Sequence, residues 1–162
     1  MKHLKPANEM KPAKEPIHSQ HLLTDLTTQL FRDGKSVRFS APGRSMYPTI
    51  REGETITVEP ILPSQGKVGD ILLYRFEDGV VAHRVARIEQ SEKKALRFIF
   101  RGDTWGDCDE PVHADQIMGK VVRVERDGRN IDPYSTGAKV RLIIHTIASR
   151  LKRSISQSRR MG

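Results

Sequence analysis

Residues 70–89, DILLYRFEDGVVAHRVARIE, contain two largely apolar runs, Asp70–Phe76 and Val80–Glu89, separated by Asp78-Gly79. Asp-Gly between such runs is the strongest short hairpin signal, because a tight two-residue hairpin turn needs positive φ angles. The stretch therefore predicts two antiparallel strands. Runs of the same kind recur at Val37–Phe39, Thr55–Glu59, Leu96–Arg101 and Met118–Glu125, and a second Asp-Gly stands at 127–128. Short strands punctuated by turns, with twelve glycines and nine prolines in 162 residues, predict an antiparallel, mainly β domain over residues 35–137.

The flanks read differently. Leu22, Leu23, Leu26, Leu30 and Phe31 recur at helical spacing, and Gly34 is placed as a stop, so one amphipathic helix is expected over 18–34. Residues 1–17 set Pro6, Pro12 and Pro16 among lysines and glutamates, with too little apolar surface to offset the entropy of ordering. They are expected to form a disordered leader. Beyond the domain, Val140, Ile143, Ile144, Ile147, Leu151 and Ile155 form one helical stripe, with Arg141, Arg150, Lys152 and Arg153 mostly off it. Residues 138–162 thus read as a basic amphipathic helix and tail. Three surroundings suit it: the domain itself with the basic face in water, an anionic lipid surface, or another macromolecule.

The net charge of +8 belongs to the ends of the chain. Residues 139–162 hold seven Lys or Arg and no acid, whereas the central region is nearly neutral. A nucleic-acid-binding domain more often carries its charge on the folded body, so no nucleic-acid partner is expected. One cysteine, Cys108, excludes an intramolecular disulfide. No apolar run approaches the roughly 20 residues that span a bilayer, and residues 1–20 lack the apolar centre of a secretory signal. A cytoplasmic location is expected, with or without peripheral attachment to a membrane.

Chemistry gathers at three places. Ser45 lies in APGRSMYPTIREG, residues 41–53, after a Pro-Gly turn. A serine there commonly serves only as a local hydrogen-bond maker, but with a base nearby it becomes a nucleophile. His83 is the candidate base: strand alternation puts Val81, His83 and Val85 on one face and Arg84 on the other. Imidazole titrates near neutrality, which suits general-base work, although a half-buried histidine satisfied by backbone fits the same pattern. Asp103, Asp107 and Asp109 crowd into FRGDTWGDCDEP, residues 100–111, as turn formers, as cation ligands off the calcium-loop spacing, or as a partner for His83.

GRSMYPTIREGETITVEP, GKVGDILLYR, VAHRVARI, FIFRGDTWGDCDEP and IMGKVVRV, in that order, resemble the boxes of the signal peptidase I family and its relatives, the SOS-repressor-type autoproteases. The resemblance spans about residues 36–126. It implies a signal-peptidase-like β domain in which Ser45 is the nucleophile and is acylated by a peptide carbonyl. Most bacterial members use lysine where His83 stands, so the chain is similar to the Ser-His branch of the endoplasmic-reticulum and archaeal-type signal peptidases. By that likeness Asp109 orients His83 and Asp103 supports it, while Lys67 and Lys120 fall outside the base's motif. Gly43 replaces a serine that helps form the oxyanion hole in many signal peptidases, which leaves the hole to backbone N–H groups such as that of Ser45. Met46 and Tyr47 are expected to line the cleft. The resemblance brings no cofactor and no metal.

The function so implied is a serine endopeptidase acting on a peptide or precursor protein after small side chains, in signal peptide processing or a related cleavage. Two alternatives accompany it. A regulatory autoprotease joined to a DNA-binding element predicts a helix-turn-helix before the domain and a scissile Ala-Gly or Cys-Gly bond; only one helix precedes the domain and neither dipeptide occurs. A non-catalytic binding module would keep the fold and lose the chemistry.

Overall fold

The computed structural model describes residues 17–77, 79–91, 95–104 and 108–158. The leader expected over 1–17 lies outside them, apart from Ile17. Helix α1, Ile17–Arg32, comes first. Eight strands follow: β1, Val37–Ser40; β2, Thr55–Pro60; β3, Ile71–Phe76; β4, Gly79–Gln90; β5, Leu96–Arg101; β6, Val112–His113; β7, Ile117–Arg126; and β8, Arg129–Ile131. Helix α2, Thr136–Ser158, closes the described chain. The fold is mainly antiparallel β with one helix before the sheet and one after, as the sequence predicts.

The sheet runs β1-β2-β7-β3-β4-β5-β6, with β8 also paired to β7. The opening hairpin forms with Phe76 opposite Gly79. Its turn therefore sits one residue earlier than expected: Glu77 occupies it with φ +48°, and Gly79 is already a strand residue. At the second Asp-Gly the expectation holds, with Asp127 and Gly128 at φ +51° and +70° between paired Arg126 and Arg129.

Ile71, Leu72, Leu73 and Tyr74 are all buried, so β3 is covered on both faces and loses the alternation of a half-solvated strand. Ile71 and Leu73 join Ile56, Val58, Val121 and Val124 in one core, which also takes Met46 and Ile50 from the serine loop. Leu72 and Tyr74 join Val85, Phe98, Phe100 and Val112 in the other. Tyr74 stacks on Phe100, with centroids 4.3 Å apart.

The two helices depart from their apolar stripes. In α1 the buried residues include Thr24 and Thr27, Phe31 packs on the core, and Leu26 is exposed. The helix ends in a Schellman pair, in which Lys35 N–H donates to Leu30 O and Gly34 N–H to Phe31 O, each at 3.0 Å. In α2, Val140, Ile143, Ile144 and Ile147 remain 48–61% exposed. These four side chains therefore do not pack on the domain. Among the described residues no helix is long and apolar enough to cross a membrane.

Candidate active site

The loop between β1 and β2 carries Ser45. Gly43 turns the chain into it with φ +76°, a conformation that L side chains rarely adopt. Ser45 is exposed, whereas the following residues drive inward: Met46 is 5% and Ile50 3% exposed. Met46 was expected to line the cleft; it is a core residue instead, because its unbranched side chain fills the space beneath the loop and anchors the turn. Tyr47 is the member of the pair left at the surface, 43% exposed, and the Tyr47–Pro48 peptide is cis.

A second loop clamps the first. Thr104 N–H donates to Ser45 O at 2.8 Å, and Thr104 Oγ1 donates to Tyr47 O at 3.0 Å and also bonds Arg44 O. A Cβ on Gly102 would lie 2.5 Å from Ser45 O, so the two backbones approach as closely as glycine alone permits. Gly102 and Thr104 stand in the quoted sequence without a signal that separates them from ordinary loop residues. Their role comes from what they meet.

His83 lies on β4 opposite Leu72, between Val81 and Val85. A β-bulge interrupts the β4–β5 register between Val85 and Arg87, beyond His83, so the expected alternation reaches the imidazole intact. The His83 Nε2 atom is 2.9 Å from Ser45 Oγ, and Nδ1 is 2.6 Å from Asp109 Oδ2. A carboxylate only accepts, which assigns the proton to Nδ1 and leaves Nε2 to accept from the serine hydroxyl. Asp109 Oδ2 also accepts from Tyr74 O–H at 2.9 Å. Burial, then the charge and hydrogen bond of Asp109, push the Tyr74 hydroxyl above the ordinary phenol range, so it remains a donor. Sequence reasoning passed over Tyr74 because an inward aromatic on a strand reads as core; here it is core with a polar end in the site.

The carboxylates of the Gly-Asp loop divide. Asp109 joins His83. Asp103 faces elsewhere and receives Arg84 Nε on Oδ1 and an Arg84 Nη on Oδ2, both at 2.7 Å, with Thr49 Oγ1 also on Oδ2. Arg84 further donates to Gly69 O at 2.8 Å. Burial pulls the guanidinium down, but the hydrogen bonds and charge of Asp103 more than offset it and hold Arg84 above its ordinary value. Arg84 thus ties β4 to the β5–β6 loop through Asp103, to the serine loop through Thr49 and to the loop before β3 through Gly69. Asp107 lies outside the described residues. Lys120 is engaged away from the serine, with Nζ 2.7 Å from Asp70 Oδ1 and over the Tyr134 ring. Among the described residues no group of His, Cys, Asp and Glu is arranged to hold a metal ion.

Fold and family together define the class, a protease or autoprotease fold. The chain belongs to the Peptidase S24-like family, whose profile matches residues 5–122. No curated protein matches it.

Proposed function

We propose that this protein is a serine endopeptidase in which Ser45 attacks a peptide carbonyl and His83 is the general base. The observation that carries the reading is the continuous line Ser45 Oγ, His83 Nε2, His83 Nδ1, Asp109 Oδ2, with both links within hydrogen-bond range. His83 takes the serine proton as the Oγ–C bond forms, returns it to the leaving amine as the C–N bond breaks, and then activates water to release the acyl group. Asp109 keeps the imidazole in the required tautomer and stabilises its cationic form. Asp103 acts one step removed, by holding Arg84 and Thr49 around the loop.

The oxyanion needs donors already in place. No described residue accepts a hydrogen bond from Ser45 N–H, which leaves it open for that purpose, with Gly43 shaping the turn just before it. Histidine rather than lysine beside the serine favours the Ser-His signal-peptidase branch. Cleavage of another chain, rather than of this one, is supported by the absence of an Ala-Gly or Cys-Gly bond.

A serine-reactive fluorophosphonate tests the assignment on wild type, Ser45→Ala and His83→Ala. Labelling of wild type alone is expected. Labelling that persists in Ser45→Ala removes the nucleophile, and a folded wild type that neither labels nor cleaves peptides leaves the binding-module reading in its place.

A further inference from the structure

Helix α2 has two faces with different occupants. Its inner side lies by the serine loop: the His145 ring meets Tyr47 edge-on at 5.2 Å, and Leu142 and Thr146 help line a cleft of about 330 Å3 shared with Arg84, Gly102 and Asp103. At 100° per residue, Val140, Ile143, Ile144 and Ile147 fall on roughly the opposite side. These four stand at successive spacings of three, one and three residues, a continuous apolar stripe over two turns. They are 48–61% exposed.

The charges flank the stripe. Lys139 falls along one border and Arg141 along the other, both exposed, while Arg150 lines the inner cleft with Leu142 and Thr146. The sequence extends the basic character through Lys152, Arg153, Arg159 and Arg160, with no acid from residue 139 onward. An apolar strip bordered by long cationic side chains matches the boundary of an anionic bilayer, where the strip enters the acyl region and the cations reach back to the headgroups. A protein partner or a second copy of the chain would have to supply a groove both apolar and strongly acidic at its rims. The described surface pairs many of its own acids with arginines, as in Arg38–Glu125, Arg44–Glu52 and Arg87–Glu89, and so offers a poor rim for self-association.

We infer that the outer face of α2 is a membrane-docking surface for anionic lipid, which holds the serine loop about one helix diameter, ~10 Å, from the bilayer. Two observations the sequence does not contain support this: the stripe is left uncovered, and the side of the helix facing the serine loop is the other one. The lipid surface does not depend on the catalytic reading.

The full chain, sedimented with phosphatidylcholine vesicles containing about 30% phosphatidylserine, is expected to bind at least ~10-fold better than to phosphatidylcholine alone, and high salt should weaken the binding. Ile143→Asp with Ile147→Asp, both at exposed positions, should lower binding at least ~10-fold while leaving the circular dichroism spectrum unchanged. Lys139→Glu with Arg141→Glu should do the same with the stripe intact. Equal binding to neutral vesicles, wild-type binding by the Ile143/Ile147 variant, or a dimer that this variant abolishes in the absence of vesicle binding would each overturn the inference. Fluorophosphonate labelling of Ser45, read on the same samples, reports on the protease proposal separately. Its failure leaves the vesicle result standing.

Discussion

Asp103 and Asp109 are six residues apart and do different things, and mutation should separate them. Asp109 holds the imidazole, so Asp109→Asn should cut kcat by roughly 10³–10⁴ while changing stability by less than about 1 kcal/mol. Asp103 is almost fully buried against Arg84. Its replacement by alanine strands a guanidinium, and denaturant unfolding should show a loss of about 3 kcal/mol. Equal stability losses in the two variants would contradict this division. Tyr74→Phe deletes one of two donors to Asp109 Oδ2 and should lower kcat about 10-fold, the worth of one hydrogen bond to a charged group, with KM unchanged. Gly102→Ala drives a methyl against the Ser45 carbonyl and should cost about 100-fold in kcat through displacement of Ser45 rather than removal of any side chain of the site.

Strands and loops hold one another in register through charge as well as packing. Glu54, at the mouth of β2, accepts from Arg126 at the end of β7 and from Arg51 N–H, and Arg126 also reaches Thr49 O. Burial raises the Glu54 carboxyl pKa, but the Arg126 hydrogen bond, the Arg51 N–H and both positive charges outweigh it, so the net shift is downward. A carboxylate depressed on folding stabilises the native state above its unfolded pKa, about 4.3, and that contribution is lost as pH falls through the lower folded value. Acid unfolding of Glu54→Gln should accordingly begin from a lower stability at neutral pH and show a shallower slope below about pH 4.5 than wild type. Parallel curves would mean that the pair does not couple to folding.

Over the whole molecule, one sheet brings together parts that are distant in the chain. Ser45 comes from the β1–β2 loop, His83 from the middle of β4, and Asp109 from the loop before β6. The β4–β5 hairpin sets Arg84 opposite Arg101, and from there the chain passes through Gly102 to Thr104 against the serine loop. Because the serine loop sinks Met46 and Ile50 into the same core that β2, β3 and β7 build, the position of Ser45 depends on that core. Truncating Ile50 to alanine, about 3 kcal/mol in a packed core, should therefore lower activity as well as stability.

Much of this was legible in the residues. Period-two runs and two Asp-Gly turns specify an antiparallel sheet, since side-chain alternation and turn φ are local properties, and the same alternation places His83 between two valines. Ser45, His83 and the Gly-Asp loop could be named from their types and order. What the chain could not reveal is which long-range neighbours these residues meet. The bidentate hold of Asp103 on Arg84, the burial of Met46, the clamp formed by Gly102 and Thr104 and the polar end of Tyr74 all arise from contacts between segments distant in the chain. The outward turn of the α2 stripe is of the same kind: helical spacing determines that an apolar face exists, and only the packing of the other face against the serine loop decides that it is left open to the surroundings.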